Sequence, residues 1–303
     1  MGPDPAPLEV HDLVKRYGDR TAVAGVSFRV ERGSIFCLLG ENGAGKTTTL
    51  EVAQGLRRPT AGLASLFGVD AQRSTPALRR RMGVLPQRFA CFPGLTVREN
   101  LRYFADVYDA RGDGSGLLER LGLAEHADQL VSTLSGGTAR RVGVATALVH
   151  DPELVFLDEP TAGVDPASRR RLWDVLLALR DEGKAIVLTT HYMDEAERLA
   201  DDILVLRKGR TVARGRPSAI RQAHGGGAVL RVAGLGDALP PLLAERAGVE
   251  READGAVLVR LADPAEAPLL LAGLLKAGVA LHEVSVREPT LDDAFLRLSE
   301  DDA

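Results

Sequence analysis

The residues with the most legible chemistry are consecutive: Gly40, Glu41, Asn42, Gly43, Ala44, Gly45, Lys46, Thr47 and Thr48, which fit the spacing G-x-x-x-x-G-K-[ST]. Glycines at 40, 43 and 45 let the backbone turn with its N–H groups facing inward, and a following helix adds about half a positive charge at its N-terminus. Such a loop cradles phosphates. Lys46 can reach the outer phosphates, the Thr47 hydroxyl can hold Mg²⁺ between two phosphate oxygens, and Thr48 either caps the helix or adds a phosphate contact. The acidic pair Asp158-Glu159 either supplies what hydrolysis needs or is a polar strand end before Pro160. Asp158 can hold Mg²⁺ through its water shell, and Glu159 can orient and deprotonate an attacking water, assistance worth typically about 10²–10⁴ in rate. Ser135-Gly136-Gly137 opens an apolar-periodic helix and is either a second anion site or a simple N-cap.

The elements that must position these groups surround them in the sequence. The apolar run at 34–39 reads as a buried strand leading into the glycine loop, whose helix is expected from Thr49 to about Leu56 before a turn at 57–62. Leu154, Val155, Phe156 and Leu157 form a continuous apolar run suited to a central parallel strand, which delivers Asp158 and Glu159 at the end where open α/β sheets hold ligands. A third such strand at 185–189 is followed by Thr190-His191; a lone histidine is more often structural, but its place behind this strand favours function. A strand at 82–85 leads into Pro86-Gln87. Residues 8–14 and 22–30 alternate as half-buried antiparallel strands do, with Tyr17 in the turn between them. An aromatic there can stack on a planar base such as adenine, or merely cover the sheet edge. From about 88 to 150 the pattern is mostly helical: Thr96 caps a helix through residue 110, glycines at 112–116 break it, and Leu117, Leu118, Leu121 and Leu123 mark another.

With 303 residues, one large domain plus a small one is expected. A net charge of -4 gives no general pull towards nucleic acid. Cys37 and Cys91 make neither a disulfide framework nor a ligand cluster, so a reducing interior is the natural compartment. The N-terminus lacks a basic region followed by an apolar core, and no apolar run approaches the length of about eighteen residues that suggests a membrane span. A secreted or membrane-spanning chain is therefore not expected. From about residue 225 the pattern changes. Gly225, Gly226 and Gly227 read as a flexible joint, followed by strands at 228–232, 257–261 and 279–286, helices at 239–247 and 265–277, and a last helix opened by Thr290 or the pair Asp292-Asp293. Acidic residues outnumber basic ones there by roughly two to one, which argues against a polynucleotide face.

Phosphate loop, Gln87, Leu134-Ser135-Gly136-Gly137, Asp158-Glu159 and His191 stand in the order seen in the nucleotide-binding subunits of ABC transporters, and the chain resembles that family across about residues 8–215. The resemblance implies an α/β P-loop NTPase with a RecA-like parallel core, an N-terminal antiparallel β subdomain, a helical subdomain at about 88–150, and a small α+β domain, with units at 1–224 and 225–303. It implies that Tyr17 stacks on adenine, that Lys46 and Thr47 hold phosphate and Mg²⁺, and that Gln87 senses Mg²⁺ and the attacking water. It further implies that Asp158 supports the metal, Glu159 is the general base, His191 approaches the γ-phosphate, and Asp165 lies in a loop contacting a partner subunit. Ser135, Gly136 and Gly137 would act in trans, two subunits enclosing two ATP molecules. Thr138 and Ala139 depart from the polar pair usual after the second glycine, which leaves open a slow enzyme or a module that binds ATP and scarcely hydrolyses it.

The ending Glu288-Pro289-Thr290-Leu291-Asp292-Asp293-Ala294-Phe295 is similar to that of ABC-2-class export ATPases of the daunorubicin-resistance type. That similarity implies a peripheral subunit at the cytoplasmic face of the membrane, exporting a drug-like, antibiotic or lipid-like substrate through a separate permease. Phe89 and Phe92 would anchor a permease helix, or else tuck into the helical subdomain. Soluble ABC ATPases of translation or DNA transactions resemble tandem ATPases or carry long coiled-coil insertions, and neither is visible here.

Overall fold

A computed structural model describes residues 4–300, except 88–90, 111, 113, 236–238, 245, 247, 253, 264 and 280. The expected Phe89 anchor lies outside the described residues. In chain order the first unit contains β1 (Leu8–Tyr17), β2 (Arg20–Val30), β3 (Ile35–Leu39), α1 (Lys46–Ala53), β4 (Ala61–Leu66), β5 (Val69–Asp70), α2 (Pro76–Arg79), β6 (Met82–Leu85) and α3 (Val97–Val107). It continues with α4 (Ser115–Arg120), α5 (Gly136–Leu148), β7 (Leu154–Asp158), α6 (Pro166–Asp181), β8 (Ala185–Thr190), α7 (Met193–Leu199), β9 (Asp202–Arg207) and β10 (Arg210–Gly215).

Every residue of β3, β7 and β8 is buried, as strands covered on both faces must be. They lie in a sheet ordered β10-β9-β3-β8-β7-β6, parallel from β9 to β6 with β10 antiparallel at one edge. Register decides what this sheet can do. Leu39 pairs with Thr190, Asp158 with Thr189, and Leu85 with Leu157, so the strands end nearly level. Gly40, Gln87, Glu159 and His191 therefore leave the sheet along one edge, where ligands of open α/β sheets bind.

A second sheet, β2-β1-β4-β5, packs Leu8, Val10, Leu13, Val23, Val26 and Phe28 into the same core, where Phe28 stacks on Phe36 at 4.5 Å. Tyr17 closes β1, paired with Arg20, rather than sitting in the turn. The helix after the loop starts at Lys46, three residues ahead of the expected Thr49, because Gly45 at φ 106° already serves as its N-cap and accepts the Thr49 N–H at 2.9 Å. Thr96 does cap α3, reciprocally with Glu99, but the helix stops at Val107; Asp109, at φ 51°, turns the chain away before residue 110.

The chain divides into two compact units, Met1–Arg216 and Pro217–Ala303. The second contains α8 (Pro217–His224), β11 (Ala228–Ala233), α9 (Pro241–Ala244), β12 (Val249–Arg251), β13 (Val257–Leu261), α10 (Glu266–Lys276), β14 (Glu283–Arg287) and α11 (Leu291–Glu300). Its antiparallel sheet, β12-β13-β11-β14, buries Leu230, Val232, Val257 and Val259 against Leu243, Leu270 and Leu274. Thr290 caps α11, with Asp293 answering from three residues on: the Asp293 N–H donates to Thr290 Oγ1 at 3.2 Å and the Thr290 N–H to Asp293 Oδ2 at 2.8 Å. Gly225–227 lie within this second unit, after α8. Gly227 is glycine for packing: at φ 88°, a Cβ would stand 1.8 Å from the Leu261 carbonyl oxygen. No helix among the described residues is long and apolar enough to cross a membrane.

One backbone contact fixes α5 against the sheet. A Cβ on Gly83 of β6 would lie 2.0 Å from the Ala147 carbonyl oxygen of α5 and 2.9 Å from Pro152 Cγ. Gly83→Ala is expected to lower stability by about 1–3 kcal/mol through overpacking. Urea unfolding followed by the fluorescence of Trp173, the single tryptophan, measures this; an unchanged midpoint would show that α5 can back away freely.

Candidate functional site

The glycine loop turns back on its own lysine. Lys46 is only 5% exposed, and its Nζ donates to the carbonyls of Gly40 at 2.6 Å and Glu41 at 3.1 Å. Burial lowers the Lys46 pKa, opposed by the charges of Glu159 and Asp158. Gly43 and Gly45 supply the positive φ the turn needs, 84° and 106°. Gly45 is also a place of close approach, since a Cβ there would meet the Ala22 carbonyl oxygen at 2.5 Å; at Gly40 one would meet that of Leu206 at 2.4 Å. The Gly209 N–H donates to the Ala44 carbonyl at 2.9 Å, so β2 and the β9–β10 turn clamp the loop from outside.

Across from Lys46 stand the two carboxylates. Asp158 is buried, and burial raises its pKa, while hydrogen bonds from Thr189 and Thr47 pull it back down. The Thr189 hydroxyl donates to Asp158 Oδ1 and accepts the Glu159 N–H at 3.0 Å. Glu159 occupies the left-handed region at φ 51°, an uncommon conformation for a residue with a side chain. That turn brings Glu159 Oε1 to 3.7 Å from Lys46 Nζ and 3.3 Å from His191 Nδ1. A cavity of about 260 Å³ opens above, walled by the loop together with Gln87, Glu159 and, from β2, Arg20 and Ala22. A concave pocket with a buried cation, helix N-terminal amides and convergent carboxylates is built for a polyphosphate.

The sequence model of the ABC transporter family matches residues 23–162, and that of the C-terminal domain of DrrA1-3-like ATP-binding proteins matches residues 215–299. Nod factor export ATP-binding protein I of Ralstonia nicotianae is 41% identical over 96% of this chain and 93% of its own length. The chain belongs to the ATP-binding subunits of ABC transporters. Daunorubicin resistance ATP-binding protein DrrA3 of Streptomyces coeruleorubidus is similar at 40% identity, over 97% of this chain and 96% of its own. A solved ATP binding subunit of an ABC transporter superposes with a TM-score of 0.66 at 31% identity, covering 72% of this chain and 93% of the other. A nucleotide-free ATP-binding cassette superposes at 0.63 with 25% identity, covering 70% and 91%.

Within this ABC ATPase fold, the structure gathers some of the expected residues and leaves others apart. Lys46, Thr47, Thr48, Gln87 and Glu159 share the phosphate-loop cavity, with Asp158 and His191 directly behind Glu159. The cavity wall does not include Tyr17, whose ring is 41% exposed at the end of β1 between the cations of Lys15 and Arg57, 5.0 and 5.8 Å from its centroid. Gly136 lines a different cavity of about 330 Å³, with Gln87, Ala139, Arg140 and Gly163. Ser135 is the N-cap of α5, and Thr138 turns inward, its hydroxyl 3.0 Å from Ser135 Oγ and accepting from Arg141 at 3.3 Å. Asp165 caps α6, accepting the N–H groups of Ala167 and Ser168, which hold its pKa low. Mg²⁺ takes oxygen ligands, keeps several waters, and is held by one or two protein oxygens together with substrate phosphates. The Thr47 hydroxyl and Asp158 carboxylate, close enough to hydrogen bond to each other, fit it.

Sequence reasoning missed Thr189 and Arg140. Thr189 carried a signal, because the parallel register places the last strand residues beside Asp158. Arg140 carried none, since its partners are main-chain carbonyls: Nη1 donates to Pro86 and Gln87, each at 3.1 Å, and Nη2 donates to Asp158 and, at 3.0 Å, to Glu159. Thr189→Val would keep the shape and leave a buried carboxylate oxygen without its donor, costing about 1–3 kcal/mol. The expected result is a lower urea midpoint by Trp173 fluorescence; equal stability would mean that water replaces the hydroxyl.

Proposed function

We propose that this chain hydrolyses Mg-ATP as a homodimer, each site combining one protomer's phosphate loop with the other's Ser135-Gly136-Gly137, and drives export through a separately encoded ABC-2-type permease at the cytoplasmic face of the membrane. The observation that carries the reading is the Glu159 carboxylate, held within 3.7 Å of Lys46 Nζ and 3.3 Å of His191 Nδ1 at the wall of the loop cavity. Lys46 and the inward amides of residues 40–48 bind the phosphates; Glu159 takes the proton of the attacking water; His191 orients Glu159 and meets the γ-phosphate. Mg²⁺, held by Thr47, Asp158 and the side chain of Gln87, would neutralise charge on the phosphate oxygens. Tyr17 stacks on adenine, and Asp165 lies in the loop facing the second protomer. The relatives named for Nod factor export and for daunorubicin resistance support an export role with a drug-like, antibiotic or lipid-like substrate.

The permease contact is assigned to Phe92. It is 43% exposed, packs edge-on to Tyr103 at 4.7 Å, and is pinned by Asn100, whose side chain accepts the Phe92 N–H at 2.8 Å and donates to its carbonyl at 3.1 Å. A rigid, half-exposed aromatic pair suits an apolar anchor.

Two results test these assignments. Glu159→Gln should bind ATP, accumulate as an ATP-bound dimer, and lose turnover by about 10²–10⁴-fold in a phosphate-release assay; normal turnover would remove Glu159 from the chemistry. Phe92→Asp should leave ATP hydrolysis by the purified chain unchanged and abolish recovery of a multi-span permease from detergent-solubilised membranes. Undiminished recovery would place the contact elsewhere.

A further inference from the structure

The β6–β7 ladder ends at the pair Leu85–Leu157. Beyond it the two strands carry the residues that matter most, Gln87 on one and Asp158-Glu159 on the other, and no strand pairing joins them. Arg140, in the second turn of the helix that Ser135 opens, fills the gap from below. One edge of its guanidinium donates to the carbonyls of Pro86 and Gln87, and the Nη2 group to those of Asp158 and Glu159. These four acceptors are main-chain oxygens on two different segments, bridged by a planar group with donors in a fixed fork.

The surroundings are those of a part set for a task. Among the described residues Arg140 makes no ion pair within 4.0 Å, so its charge rests on carbonyl dipoles and on the more distant fields of Asp158, Glu159 and Glu195. Burial lowers its pKa, and its Nε lies buried with no acceptor. Glu159, in its left-handed conformation, is held at its N–H by Thr189 and at its carbonyl by Arg140.

We propose that Arg140 is a positioning residue for hydrolysis: it locks Pro86 and Gln87 to the Asp158-Glu159 strand end, so that a shift of the helix beginning at Ser135 moves Gln87 and Glu159 together. Arg140 is not part of the phosphate-loop cavity wall. The inference rests on the hydrolytic reading above and adds to it a mechanical link from α5 to the general base.

The test uses the full-length chain with Arg140→Met, Arg140→Lys and Arg140→Ala. Misplacing a reacting group by about 1 Å can cost about 10²-fold, so kcat in Arg140→Met should fall on that order, while the ATP Kd stays within a few-fold of the unsubstituted protein. Arg140→Lys should fall nearly as far, because a compact ammonium reaches one segment and not both. In Arg140→Ala, methylguanidinium should restore part of kcat from the adjoining cavity, and methylammonium should not. Amide hydrogen exchange of residues 86–92 and 158–165 should quicken in Arg140→Lys, a readout independent of turnover. Unchanged kcat and unchanged exchange would overturn the proposal, as would parallel losses of kcat and ATP affinity without rescue by methylguanidinium. Inactive unsubstituted protein would contradict the hydrolytic reading instead, and the exchange data would still decide the link.

Discussion

A lysine ammonium buried at the floor of the loop cavity is the constraint on which the first unit depends. Burial lowers the Lys46 pKa, and the Gly40 and Glu41 carbonyls and the Glu159 carboxylate that converge on the ammonium offset the cost of burying it. For the carbonyls to face Nζ the loop must double back, which demands glycine at 43 and 45 and lets β2 press against the loop at Ala22. For the carboxylate to arrive, β7 must end level with β3 and β8 and then turn sharply at Glu159. Three fully buried strands keep those ends from drifting. On the proposed function, ATP phosphates take over as the counter-charge, which couples nucleotide binding to the rigidity of the whole edge.

The sheet edge that carries the phosphate loop was largely legible because it is written in local patterns. The phosphate-loop spacing, the apolar runs ahead of it and ahead of Asp158, and the strand before His191 each depend on neighbours in sequence, and each stands where expected. What failed to show were interactions between distant segments. Arg140 looks like one more basic residue after a serine-glycine cap; its role depends on carbonyls 53 to 54 and 18 to 19 residues away. The start of α1 was misjudged because Gly45 caps by backbone conformation and not by a side chain. The alternation of residues 8–14 and 22–30 puts Tyr17 in a turn, whereas the β1–β2 pairing extends to Tyr17 and Arg20.

The second unit was harder to read at its edges than in its core. Strands at 228–232 and 257–261 alternate cleanly, and they became β11 and β13. β12 is only three residues long and exposed on most of its length, so it carries too little periodicity to be seen. Of the helix expected over 239–247, the described residues show Pro241–Ala244 as helix. The glycines at 225–227 resemble a joint in sequence, and the structure adds that side chains at Gly225 and Gly227 would strike Pro289 and Leu261, a packing requirement the sequence does not show.

The central claim is that hydrolysis occurs at sites completed by a second copy of the chain. The most direct measurement follows Mg-ATP-dependent phosphate release per chain as the purified protein is diluted, with molar mass read by light scattering in the same samples. Turnover per chain is expected to fall as the population shifts from two chains to one, 32.3 kDa, and chelating the divalent cation is expected to abolish it at every concentration. Full turnover by samples that scatter as single chains would contradict it.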